Sequence, residues 1–136
     1  MNEVMVTGGK KVQRELVYET VNFCIKKLMP RVRTLDIEVK LPNCDAYGYC
    51  CMTDDHKTFE LEIRKSLSLY DLVSTICHEM VHVKQYYRKE LAENRQWKTR
   101  KIAETVDYFD EPWEKEAFRM EEKLAVEAFK KVQVFF

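Results

Sequence analysis

The sequence predicts an α+β fold, and three observations carry that prediction. Two stretches alternate apolar and charged residues with the period of a half-buried strand. Helical stripes repeating every three to four residues lie before and after them. Between strands and last helix stands His78-Glu79-Met80-Val81-His82, an H-E-x-x-H pattern inside a helical run over 68–91.

The first helix spans 11–29. Val17, Val21, Cys24 and Leu28 form its stripe, Leu16 and Phe23 widen it, and Pro30 stops it. Over 34–41, Leu35, Ile37, Val39 and Leu41 alternate with Asp36, Glu38 and Lys40, giving a strand with one buried face. Pro42, Asn43 and Asp45 supply the next turn. Residues 46–52 read as a second strand, 53–57 as a polar hairpin connection, and 57–65 as a third strand built on Phe59, Leu61 and Ile63. A three-stranded, mostly antiparallel sheet is therefore expected ahead of the motif helix.

Ser66 or Ser68 can cap that helix, with Asp71 in its first turn. Leu69, Leu72, Val73, Ile76, Met80, Val83 and Tyr87 make one stripe. At about 100° per residue, His78 and His82 fall nearly opposite it, together with Asp71, Thr75 and Gln85. A pair of core histidines would lie within the stripe, so this placement points to a site. Residues 88–105 are charged and weakly patterned, with a loop expected around Asn94 and then a second short helix. The last helix is expected over 111–132, with Asp110 as N-cap, Pro112 in the first turn and a stripe of Trp113, Ala117, Met120, Leu124 and Ala128.

Residues 1–136 fit a single domain. With 46% hydrophobic and 34% charged residues, the composition is that of a soluble globular chain. Zero formal net charge gives the whole molecule no pull toward nucleic acid or anionic membrane. No apolar run approaches the roughly 18 residues that a membrane span requires, and 1–10 lacks the pattern of a signal peptide. Five cysteines (24, 44, 50, 51 and 77) form no disulfide framework and predict reduced thiols and a cytoplasmic setting. A second metal site on Cys44, Cys50 and Cys51 is disfavoured, since neighbours on a strand point to opposite faces.

On one helical face, His78 and His82 can share a metal ion, and Glu79 lies close enough to reach a water beside it. A catalytic zinc takes three protein ligands and keeps one position open. No histidine follows His82, and the other histidine, His56, belongs to the interstrand turn. A carboxylate from the last helix is the natural third ligand.

The motif followed some thirty residues later by Glu-Ala on a helix resembles the gluzincin metallopeptidases. The short chain is similar, more narrowly, to minimal single-domain zincins: minigluzincin-type peptidases and the small SprT-like or ImmA-like proteins of phages and bacteria. The resemblance implies a zincin-like core of N-terminal helix, three strands, active-site helix and a C-terminal helix carrying the third ligand. It implies a Zn2+ cofactor held by His78, His82 and Glu116, the residue before Ala117, with Glu114 in reserve. It also implies hydrolysis of a peptide or protein substrate in a bacterial cell or phage-infected host. Zinc would polarise the scissile carbonyl and acidify water, and Glu79 would act as general base and hand the proton to the leaving amine. Tyr108, with Tyr86 behind it, is the candidate transition-state donor. By analogy, the third strand would form the sheet edge that holds an extended substrate.

The alternative is a zincin-fold binding or regulatory module with zinc and no turnover. Lys84, Arg88, Lys89, Arg95, Lys98, Arg100 and Lys101 form a basic run whose plainer reading is a solvated face and whose functional reading is a nucleic-acid patch. A monomer without membrane association is expected. The apolar end at 132–136 poses a packing question of its own.

Overall fold

The computed structural model describes residues 1–53 and 55–132. It shows a mixed α+β architecture: β1 (Glu3–Gly8), α1 (Lys11–Leu28), β2 (Asp36–Leu41), β3 (Gly48–Met52), β4 (Thr58–Ile63), α2 (Leu69–Tyr87), β5 (Leu91–Ala92), β6 (Gln96–Trp97), β7 (Arg100–Lys101) and α3 (Pro112–Val132).

The main sheet has four strands in the order β1-β2-β4-β3. β1 runs parallel to β2, with Val4 opposite Ile37 and Val6 opposite Val39, and β2 runs parallel to β4. Only β3 is antiparallel, pairing Cys50 with Leu61. The expected three-stranded, mostly antiparallel sheet is thereby corrected. The first strand lies before the first helix, and two of the three pairings are parallel. It also follows that 57–65 is not the sheet edge: β4 is internal, and β3 takes the edge position.

A left-handed pair, Gly8 (φ 86°) and Gly9 (φ 61°), turns β1 into α1. Any side chain at Gly8 would also press on the Leu41 carbonyl at 3.0 Å. Gln13 accepts from the Lys10 backbone N–H at 2.7 Å, closing the helix start in place of a short polar cap.

One face of the sheet is solvated and carries Glu38, Lys40 and Glu60, with Lys40 Nζ 2.9 Å from Glu60. Its other face packs Ile37, Val39, Phe59, Leu61 and Ile63, all fully buried, under α1 and α2. α3 then lies on α2 on the side away from the sheet and touches α1. As a result α2 is covered almost all round, and every residue from Thr75 to Gln85 is buried. Ser68 caps α2 as expected, its Oγ accepting from Asp71 N–H at 3.2 Å. Arg88 fastens the far end by donating to the Leu28 carbonyl at 2.9 Å.

Residues 88–105 form no second α-helix. They hold a small three-stranded antiparallel sheet of two-residue strands, with a single 3-10 turn at Glu93–Arg95. Arg95 anchors it: its guanidinium pairs with Glu111 at 2.7 Å, donates to the Ile102 and Ala103 carbonyls, and stacks on Trp113. Asp110 does not cap α3 but ends a 3-10 turn (Tyr108–Asp110) just before it. Among the described residues, no helix is long and apolar enough to cross a membrane. Asp54 in the β3–β4 connection, and 133–136 of the apolar end, lie outside the described residues.

Candidate metal centre

His78 and His82, one helical turn apart on α2, face α3 rather than the sheet. Glu114, in the first turn of α3, meets both. Its Oε1 lies 3.0 Å from His78 Nε2 and 3.2 Å from His82 Nε2. Zinc bonds of about 2.0–2.1 Å at tetrahedral angles place ligand atoms about 3.3 Å apart, so these separations suit a shared ion. One ligand atom from each of the three residues lies within 4.8 Å of the others, and all three residues are buried. The group can hold a metal ion, and two imidazoles with one carboxylate form a donor set that suits zinc.

The third member is Glu114, which corrects the expectation of Glu116. Two residues along a helix is a rotation of about 200°, so the two carboxylates cannot aim at the same point. Glu116 turns to Lys84, 2.9 Å away, and accepts from Gln85 Nε2 at 3.1 Å. The structure brings Glu114, the acid held in reserve, to the two histidines and sets Glu116 against Lys84 and Gln85, while Ala117 packs in the core.

Each histidine has a partner on its other ring nitrogen. His78 Nδ1 donates to Glu121 Oε1 at 2.8 Å, and Glu121 Oε2 accepts from Ser74 Oγ at 3.2 Å. Glu121 is seven residues beyond Glu114, or about 20° from it round α3, and so reaches the same histidine from two turns further along the helix. His82 Nδ1 lies 2.7 Å from Gln85 Oε1. Gln85 is fully buried, and its Nε2 donates to the Trp113 carbonyl at 2.9 Å as well as to Glu116. Both amide hydrogens are thus spent on oxygens, so Oε1 must accept from His82 Nδ1–H. That fixes the tautomer and leaves the Nε2 lone pair facing the shared point. In the sequence Glu121 is one of several acids along the last helix, and Gln85 is a residue on the histidine face. The signal that could have found Glu121 is its seven-residue spacing from Glu114.

The electrostatics follow from this closeness. Burial works to lower the His78 pKa, but the hydrogen bonds to Glu114 and Glu121 outweigh it and carry it up to about 9. His82 is raised as well, against burial, chiefly by Glu114. Burial would lift Glu114, yet the two imidazoles hold it down at about 2. Without a metal, Glu114 is a carboxylate between two imidazoles whose protonated forms it favours.

Glu79 points elsewhere. It is 6% exposed, makes no hydrogen bond among the described residues, and burial pushes its carboxyl group up. It lines two cavities, one of about 480 Å³ beside His78 and one of about 270 Å³ beside His82. Tyr108 borders both, and its hydroxyl donates to Glu114 Oε1 at 3.1 Å. Tyr86 lines the smaller cavity.

The remaining candidates lie apart. His56 is exposed in the β3–β4 connection. Cys50 and Cys51 occupy successive β3 positions opposite Leu61 and Glu60, and no metal group includes them among the described residues. Buried Cys24 and Cys77 approach to 3.7 Å between α1 and α2, a contact the spacing gave no hint of. Within the basic run, Lys84, Arg88 and Arg95 are engaged inside the fold. No known family model, curated protein or solved structure matches the chain.

Proposed function

We propose that the protein is a zinc-dependent peptidase of zincin type, with the metal held by His78, His82 and Glu114 and with Glu79 as general base. The observation that carries this reading is the pairing of a buried His-His-Glu group with a buried carboxylate, Glu79, that lacks a partner and faces open space. A structural metal site would leave no such neighbour, because burying an unpaired carboxylate costs stability without return.

When bound, zinc supplies Lewis acidity, lowering the pKa of water toward neutrality and polarising a carbonyl. The chain supplies the rest. Glu79, raised by burial, takes a proton from water in the cavity and returns it to the leaving amine. Glu121 and Gln85 hold the two imidazoles with Nδ1 protonated and Nε2 free for the ion. Tyr108, at the junction of the two cavities, is placed to donate to a developing oxyanion once Glu114 is engaged elsewhere. The free edge of β3, beside the cavities, offers backbone groups to an extended chain.

The test is zinc content by elemental analysis, with cleavage of a mixed peptide library by wild type and Glu79→Ala. Stoichiometric zinc and cleavage abolished by Glu79→Ala are expected. Cleavage surviving in Glu79→Ala overturns the assigned base. Zinc without cleavage replaces the peptidase with a binding or regulatory module.

A further inference from the structure

The two cavities that meet at Glu79 differ in chemistry. The smaller one is walled by Tyr49, Cys50, Tyr86, Leu91 and Trp113, and its carboxylates among the described residues are Glu79 and Glu114 of the centre itself. The larger one runs along α2 from His78 back to the first helical turn and carries two further carboxylates, Asp71 and Glu121. Among the described residues, no lysine or arginine lines it. Arg64 lies over the Tyr47 ring at 4.7 Å and donates to the Asp45 carbonyl.

Three features of this larger cavity point to one kind of occupant. Asp71 is exposed at the mouth of the cavity and has no ion-pair or hydrogen-bond partner for its carboxylate among the described residues. Glu121 turns its oxygens to His78 and Ser74 and lines the same cavity. Glu79, nine-tenths buried and unpartnered, is set into the same wall and calls for a ligand there. The rest of the lining includes two aromatic rings, Tyr47 and Phe118, which suit an aliphatic stem with a cationic head. With a volume of about 480 Å³, the cavity has room for a long side chain.

We propose that this cavity is a specificity pocket for a lysine or arginine side chain next to the bond cleaved, with Asp71 as its principal determinant. The proposal rests on the peptidase reading, since it presumes that a peptide is held over Glu79. A cation entering from the His78 side meets Asp71, exposed at the mouth of the cleft, and Glu121, set deeper against His78. An anionic side chain would meet the same two carboxylates and be turned away. The smaller cavity would receive an apolar neighbour of the same peptide.

The experiment separates the pocket from the reaction. Tripeptide hydroxamates, with the metal-directed group at either the amino or the carboxyl end and lysine, norleucine or glutamate beside it, are titrated into the zinc-loaded protein. Lysine and norleucine share a straight four-carbon stem and differ in the ammonium group. In one of the two series, lysine is expected to bind about tenfold more tightly than norleucine. Asp71→Asn should remove most of that preference, added salt should weaken it, and Asp71→Lys should shift it toward glutamate.

Equal binding of lysine and norleucine in both series overturns the pocket, whether or not peptides are cleaved. So does a lysine preference untouched by Asp71→Asn. A lysine preference that depends on Asp71, in a protein that cleaves nothing, upholds the pocket and removes the peptidase. If no hydroxamate binds at all, both fall.

Discussion

His78 and His82 aim their Nε2 atoms at the same oxygen of Glu114, yet they are backed by different chemistry. A carboxylate, Glu121, stands behind His78, and a carboxamide, Gln85, stands behind His82. The carboxylate belongs to α3 and is 23% exposed in its side chain; the carboxamide belongs to α2 itself and is fully buried. One histidine is therefore held by charge across a helix–helix contact, the other by a neutral group locked into the core. A charged partner stabilises imidazolium and raises the basicity of a metal-ligating ring. A neutral acceptor orients the ring and fixes its tautomer with less effect on its charge. The difference predicts that the two sides fail differently: the His78 side in affinity and pH response, the His82 side in stability as well.

The largest effect tests the common point of the two sides. Glu114→Ala should weaken zinc binding on the order of a thousandfold, as loss of one of three ligands from a tight site requires. Glu116→Ala should leave zinc bound, and isothermal titration of both variants decides between them. Equal losses would mean that the two acids share the site, which a 200° separation on α3 does not allow.

Next come the backing groups themselves. Glu121→Ala and Gln85→Ala should each lower zinc affinity by about 10- to 100-fold, the range usual for partners of ligating histidines. They should part on stability. Gln85→Ala also strands the Trp113 carbonyl in the core and opens a cavity, so apo-protein unfolding should weaken by about 2–3 kcal/mol. Glu121→Ala, at a position that keeps some solvent access, should cost the apo fold less. Denaturant melts of the two apo variants that coincide would erase the distinction.

The pH response follows from the same asymmetry. In the apo protein the His78 pKa is raised to about 9, so its ion pairs contribute fully below the usual histidine value of about 6.5 and are lost as pH rises through about 9. Glu114, held down at about 2, contributes above its ordinary value of 4.5 and loses that contribution as pH falls through about 2. Zinc must displace the histidine protons, so its affinity should climb from pH 6 toward pH 9 with proton release. Thermal-shift scans at pH 6, 7 and 8.5 should show the stabilisation by saturating zinc growing with pH. Glu121→Gln should flatten that growth, because the neutral amide no longer holds the proton on His78.

How far the sequence reaches can be judged on these same residues. The apolar stripe of α2 left His78 and His82 on the opposite face, and that is where they stand, because a 100° step is a local property of the helix. The strands 36–41 and 58–63 were equally legible from alternation. β1 was not: Val4 and Val6 alternate, but Met5 between them is apolar and 60% exposed, which blurs the period. Its parallel pairing with β2 across the intervening helix is a long-range fact with no local signature. Choosing Glu114 over Glu116 needs the rotation of α3 about its axis, which is set by Trp113, Ala117, Leu124 and Ala128 packing into place. The small sheet after α2 depends on one arginine finding Glu111 and Trp113, a tertiary contact that a charged run conceals.

The smallest effect lies one bond further out and tests whether the asymmetry persists there. Behind Glu121 stands Ser74, a neutral hydroxyl donor; behind Gln85 stands Glu116, whose charge is matched by Lys84. The neutral and charged roles are therefore exchanged in this outer layer. Ser74→Ala removes a 3.2 Å hydrogen bond from a carboxylate that keeps solvent access, and zinc affinity should fall by about twofold. Glu116→Gln keeps an acceptor for Gln85 but leaves Lys84 with Glu90 as its remaining carboxylate partner among the described residues. Because the amide of Gln85 stays pinned by Trp113, His82 should keep its tautomer and zinc affinity should change by less than about threefold. A tenfold loss in Glu116→Gln would show that the charge of Glu116 is relayed through Gln85 to His82. Both histidines would then be electrostatically backed, one directly and the other at one remove.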